Sequence, residues 1–137
     1  MPAEELVSAV KEIVAIAKGG DPDGANAKWA SLFAGPTFVG YPPEDQRQVL
    51  KFVVLAKRSG KPSASLLDVF RAAKTPLDAL VAAHQEPADF EMLGLCHQIL
   101  GEEIAASAIF RTALELERAR NAGSDLCGRL MKHASSI

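Results

Sequence analysis

The sequence has few cysteines, no long apolar run and no leader-like N-terminus. Its two cysteines among 137 residues are too few to build a disulfide scaffold. The longest segments without an acidic or basic residue, 29–43 and 92–101, are shorter than the roughly 20 apolar residues that a membrane-spanning helix needs. The first residues are acidic and lack the basic-then-apolar pattern of a signal peptide. We therefore expect a cytoplasmic protein with no membrane contact.

An excess of charge of one sign is also missing. Fifteen basic and 17 acidic residues give a formal net charge of -2, which does not favour binding to nucleic acid. Hydrophobic residues make up 48% of the chain and charged residues 23%, so the sequence can bury a core and is not that of a disordered protein. The length is that of one ordinary domain.

The common motifs of catalysis and metal binding are absent from the sequence. It contains no glycine-rich phosphate loop, no Gly-x-Ser-x-Gly and no His-Glu-x-x-His. Its three histidines are far apart, with no pair at the spacing of metal ligands. Cys96 and His97 are adjacent, so on a helix their side chains project about 100° apart and do not converge on one ion. We expect no enzymatic activity, no cofactor and no metal. The alternative is a metal site formed by Cys96 and Cys127 with His97 or His133.

The spacing of apolar residues is helical almost throughout. They recur every three or four residues, and no segment shows the alternation of a strand. Glycine, proline and serine separate the segments, with Ser63, Thr75 and Ser124 at positions that favour helix N-caps. The pattern predicts an all-α protein of about eight helices, over residues 3–18, 24–34, 44–59, 63–74, 76–84, 87–100, 102–121 and 124–134.

Three glycines mark a repeat of about forty residues. Gly20, Gly60 and Gly101 are 40 and 41 residues apart, and each falls between two predicted helices. Glycine at such a position permits the left-handed backbone of a tight turn. We expect a small residue five positions later to let paired helices approach closely, and a large apolar residue four positions further on to fill the space between units. These pairs are Ala25 with Trp29, Ser65 with Val69, and Ala106 with Phe110.

The third of these units resembles the tetratricopeptide repeat (TPR) family. From Phe90 it reads Phe90-x2-Leu93-Gly94-x2-His97, followed by Gly101, Ala106, Phe110, Ala113 and Leu114. The family has an aromatic, Leu-Gly, an aromatic, a turn glycine, and then alanine, aromatic and alanine at these spacings, over about 34 residues. His97 stands where tyrosine is usual, and Arg118 where the closing proline would be. The first two units are only repeat-like, with Glu12-Ile13 and Phe52-Val53 at the Leu-Gly position.

The resemblance implies a right-handed superhelix of antiparallel helix pairs. We expect a single domain over residues 1–137. It would consist of about three TPR-like units at 3–40, 44–85 and 87–121, with a C-terminal capping helix at 124–135.

In that family the first helix of each unit lines a concave groove that holds a segment of a partner protein. Alignment by the glycines pairs Lys11 with Lys51 and Lys18 with Arg58. The resemblance therefore implies a groove that is basic at one end and apolar at the other. Its expected residues are Lys11, Lys18, Arg47, Lys51, Val54, Arg58, Met92, Leu95 and Ile99. Such a groove predicts a non-catalytic adaptor or chaperone-like module for an acidic and hydrophobic partner segment.

Three alternatives stay open at this point. The basic side chains can simply solubilise an exposed helix face. The chain can be a structural homo-oligomer, such as a homodimer, that assembles through the groove or the C-terminal helix. It can also be a regulatory domain that binds a small ligand in its core, which would raise its melting temperature.

Overall fold

A computed structural model describes residues 3–135 of the chain, and over these residues it contains helices and no strands. The helices are α1 (Glu4–Lys18), α2 (Pro22–Ala34), a short 3-10 helix (Phe38–Gly40), α3 (Pro43–Val54), α4 (Ala64–His84), α5 (Pro87–Ile99), α6 (Glu103–Asn121) and α7 (Asp125–Ser135). The predicted all-α class is thus confirmed. None of the helices within 3–135 is long and apolar enough to cross a membrane.

The chain divides into two compact units, Met1–Pro76 and Leu77–Ile137. We call them the N-terminal unit and the C-terminal unit. The boundary falls inside α4, so this helix contributes residues to both. Their charges differ in sign: residues 1–76 contain ten basic and eight acidic residues, whereas residues 77–137 contain five basic and nine acidic ones.

The helix predicted at 63–74 does not end before Pro76. A single α4 runs from Ala64 to His84 with Pro76 inside it, so the predicted N-cap at Thr75 is wrong. Proline in a helix interior removes one backbone donor and crowds the preceding turn. Here Pro76 and Leu77 are both buried, and burial of this apolar stretch offsets the local cost of the proline.

The helix predicted at 44–59 is shorter than expected. α3 ends at Val54, and residues 55–63 contain no helix. The Arg58 guanidinium donates to the carbonyl oxygen of Val53 in the last turn of α3 at 2.7 Å, and to that of Ala56 just beyond the helix at 3.3 Å. Phe52 and Leu55, both in this apolar segment, are exposed.

Side chains cap the N-termini of three helices. Ser63 Oγ accepts a hydrogen bond from the backbone N–H of Leu66 at 3.2 Å, and Ser124 Oγ accepts one from Cys127 at 3.0 Å, as predicted. Asp21, which was not predicted as a cap, accepts from Gly24 at 2.9 Å. Each bond satisfies one of the backbone donors that a helix N-terminus leaves free.

The three glycines at the predicted turns adopt the expected conformation. Gly20, Gly60 and Gly101 have φ angles of 93°, 79° and 79°. A side chain at these angles would crowd the backbone, so glycine is the residue that turns the chain there at least cost.

Aromatic side chains form the centre of the N-terminal unit. Trp29 stacks on Phe33 with ring centroids 6.0 Å apart, and Phe33 meets Phe38 edge-on at 5.1 Å. The loop that carries Phe38 is held to α3 by buried Gln46, whose amide donates to the carbonyl oxygens of Tyr41 at 2.8 Å and Val39 at 3.2 Å.

The C-terminal unit is built on α5, α6 and α7. Ala106, Phe110, Ala113 and Leu130 form its buried cluster. Gly94 on α5 faces the Phe110 ring so closely that a Cβ atom at position 94 would lie 2.5 Å from Cε1 of Phe110. The glycine and the alanines predicted from the repeat pattern therefore let α5 approach α6, with Phe110 filling the space between them.

Candidate partner-binding groove

A groove opens between α1 and α3 in the N-terminal unit. It encloses about 280 Å³, and its lining is mainly apolar. Its residues are Leu6, Val7, Val10 and Lys11 from α1, and Asp45, Gln48, Val49 and Phe52 from α3. The residues on each helix recur at three- and four-residue spacing, so each helix presents one face to the groove.

Phe52 is the most prominent apolar side chain of this groove. It is 57% exposed, although its ring lies 6.1 Å from that of Trp29 in the core. Val7 beside it is exposed as well. A phenylalanine side chain that packs on the core with one side and is exposed on the other can contact an apolar group of another molecule.

Asp45 places a carboxylate among these apolar residues. It is only 9% exposed, and its Oδ2 atom is buried without a hydrogen-bond partner. The residue lies in the first turn of α3, where the helix dipole favours a negative charge. A buried carboxylate oxygen without a donor is nevertheless costly, because it has given up its hydrogen bonds to water.

The two helices of the groove carry charges of both signs: Lys11 and Lys18 with Glu4, Glu5 and Glu12 on α1, and Arg47 and Lys51 with Glu44 and Asp45 on α3. Lys11 lines the groove itself, while Lys18 and Lys51 are exposed on α1 and α3. Between residues 47 and 74 the sequence carries seven basic residues and a single acidic one, Asp68. Acidic groups that come close to this stretch of the chain would be attracted to it.

The two arginines among the predicted groove residues are bound within the protein. Arg47 pairs with Glu44 at 2.7 Å. Arg58 binds the end of α3, and its guanidinium lies 5.3 Å from the centre of the Phe70 ring. Burial there lowers the pKa of Arg58. Arg58 therefore has a structural role, because it contacts both the end of α3 and Phe70 on α4.

The apolar residues predicted for the groove are largely core residues. Val54 is buried in the N-terminal unit, and Met92 in the C-terminal unit. Leu95 packs against the cluster around Phe110, and Ile99 is half-buried at the end of α5. Val54 and Met92 offer no accessible side chain to a partner, which corrects their assignment to a groove surface.

Sequence reasoning missed most of the groove lining. Of the eight residues that line the groove, only Lys11 was among the expected groove residues. One signal was present: Val7 precedes Lys11 by four residues, so the two share a helix face. Asp45 gave no signal, because a carboxylate in the first turn of a helix has an ordinary structural use.

A cluster of charged side chains lies in the C-terminal unit. The buried Glu91 carboxylate on α5 accepts from Arg129 at 3.0 and 3.2 Å and lies 3.1 Å from Nε2 of His133, both on α7. The hydrogen bond with Glu91 raises the pKa of Arg129. The His133 ring also stacks on Phe110 at 4.8 Å. These contacts hold α7 against α5 and α6.

Among residues 3–135, no group of three or more histidine, cysteine or acidic side chains is arranged to hold a metal ion. Cys96 and Cys127 are both buried thiols that form no disulfide.

No protein-family model matches the chain, and neither a curated protein nor a solved structure matches it significantly.

Proposed function

We propose that the protein is a non-catalytic module that binds a segment of a partner protein in the groove between α1 and α3. The observation that carries this proposal is the exposed Phe52 ring in a mainly apolar groove. Soluble domains expose single apolar residues freely, but a concave apolar surface built on two helices is the usual form of a helical-peptide site.

The proposed module is a helical repeat of the TPR type. The left-handed glycines at the three turns support this proposal, as does the contact of Gly94 with Phe110 in the unit that carries the family pattern. On this proposal α1 and α3 are the first helices of successive repeats, and the groove lies between them.

The surrounding charge indicates the kind of partner. Lys11 and Lys51 would attract acidic residues beside the apolar contacts of the bound segment. Screening by salt weakens such attraction between exposed groups, so binding should decrease between about 0.1 M and 0.5 M salt.

The proposal is tested by capture on the immobilised full chain from a lysate of the source cell. We expect a stoichiometric partner to bind the unaltered chain and to be lost with Phe52→Gln, which removes the apolar contact. Lys11→Glu should weaken capture by roughly tenfold or less, because one rim charge contributes about 1 kcal/mol. Met131→Gln is the matched control, since Met131 is 49% exposed on α7, in the other unit.

Capture of the same partner by Phe52→Gln would contradict the groove as the binding site. Recovery of the protein alone, as a defined dimer, would instead favour the structural homo-oligomer. Circular dichroism should show that Phe52→Gln keeps its helices, because more than half of the side chain is already in water.

A further inference from the structure

We infer that the groove between α1 and α3 receives an aromatic side chain with a hydrogen-bond donor on its edge, such as tryptophan, and that Asp45 accepts this hydrogen bond. The inference rests on the proposed function and specifies which residue of the partner segment is recognised.

The shape of the groove suits one large ring. Its volume of about 280 Å³ lies at the lower end for ligand pockets, and its walls are supplied by Val7, Val10, Val49 and Phe52. Aromatic anchors that enter such pockets account for much of the energy of many protein interfaces. The exposed Phe52 ring offers the incoming ring an aromatic contact.

The unpartnered oxygen of Asp45 requires a donor. Oδ2 is buried and receives no hydrogen bond, in a residue that lines the groove. An aspartate side chain rotates about two torsions, so an oxygen of Asp45 can turn toward a donor placed in the groove. A tryptophan N–H would satisfy this acceptor while its ring covers the apolar walls.

A neutral donor suits the groove better than an ammonium group does. Lys11 already contributes a positive charge to the lining, and Lys51 lies on the neighbouring turn of α3. A further cation would be repelled by these lysines and would lose its hydration among apolar side chains. An indole N–H carries no such cost and is a donor only.

The test uses two small probes on the full chain, N-acetyltryptophanamide and its 1-methylindole analogue, which keeps the ring but lacks the N–H. Binding is followed by the backbone amide signals of Gln48 and Phe52 in an NMR titration. We expect millimolar binding of the first probe and roughly tenfold weaker binding of the methylated one. In Asp45→Leu the two affinities should become equal, whereas Asp78→Leu, which removes an exposed acidic residue from α4, should keep the tenfold difference.

A thermal melt gives a second measurement. Asp45→Leu should raise the melting temperature by a few degrees, because the free protein no longer buries an unsatisfied oxygen. A fall of that size would show that Asp45 serves the α3 N-terminus alone and would overturn the inference.

Equal binding of the two probes to the unaltered chain would also overturn it, as would the absence of groove signals up to about 10 mM probe. The probe comparison needs only the unaltered chain, so it decides the question even if Asp45→Leu does not fold. The outcome is separate from that of the proposed function, because capture that depends on Phe52 does not require Asp45.

Discussion

Gly94 illustrates how a single residue sets the packing of a helix pair. Helix interiors disfavour glycine by about 1 kcal/mol relative to alanine. At position 94, however, the Phe110 ring occupies the space of any side chain. The glycine lowers helix propensity at this position, but it leaves the space that the buried Phe110 ring occupies.

Gly94→Ala should therefore destabilise the protein by about 1–3 kcal/mol, since the added methyl group overpacks the core against Phe110. The matched control is Gly128→Ala on α7, where nothing lies within 4 Å of an added Cβ. That change should stabilise by up to about 1 kcal/mol through helix propensity. Urea denaturation measures both. An equal effect of the two substitutions would contradict the packing described for Gly94.

Phe52 and Arg58 show that residue type alone does not reveal what surrounds a side chain. The aromatic residue is exposed, and the arginine is fixed by backbone carbonyls and the Phe70 ring. Both properties depend on neighbours from other elements, which no local pattern in the sequence reports.

Helix α7 is held to the other helices of the C-terminal unit by an apolar contact and by a charged one. Leu130 belongs to the buried cluster, and Arg129 and His133 on the adjoining face both reach Glu91. The contact is asymmetric, because Glu91 is almost fully buried whereas the Arg129 side chain is 54% exposed. Loss of the arginine leaves a charge behind in the core, while loss of the glutamate frees the arginine into water.

We expect Arg129→Met to cost about 2 kcal/mol of unfolding free energy, because the buried carboxylate then loses its bidentate partner. Adding Glu91→Leu should recover most of that loss. Arg111→Met, which changes an exposed arginine of α6, should stay within about 0.5 kcal/mol of the unaltered protein. Chemical denaturation of all four chains gives these free energies of unfolding. A double variant that is as unstable as Arg129→Met, or less stable, would argue against the contact.

Helix α4 shows that a local sequence pattern does not by itself decide where a helix ends. Thr75-Pro76 has the form of a helix start, yet the helix continues through it. The buried residues on either side supply packing energy that the proline alone cannot cancel.

The molecule as a whole carries its charge unevenly. Its N-terminal unit has a basic excess and its C-terminal unit an acidic one, although the chain is nearly neutral overall. The overall net charge therefore conceals a local excess of basic residues between positions 47 and 74.

A module whose groove serves another protein should be a monomer when alone. We expect light scattering at micromolar concentration to give the chain mass of 14.6 kDa. A stable dimer of the unaltered chain that dissociates with Phe52→Gln would place a second copy in the groove. A dimer lost only with Met131→Gln would instead indicate assembly through α7.

Much of this architecture could be predicted from the order of residues. Apolar spacing located the helices, Ser63 and Ser124 marked two starts, and three glycines marked the turns. These features depend on hydrogen bonds and torsions within a few residues, so a local pattern is sufficient to specify them. The close packing of α5 on α6 was expected from the resemblance of the third unit, in which Gly94, Ala106 and Phe110 lie at the positions of the family pattern.

The groove, and the features that the sequence analysis predicted wrongly, depend on contacts between residues that are far apart in the chain. Packing decided that Met92 is buried while Phe52 is exposed, that α4 continues through Pro76, and that Asp45 faces apolar neighbours. Two apolar helix faces of similar composition become core or surface according to what covers them. That covering is a property of the folded chain, because the free energy of burial arises only when distant segments meet.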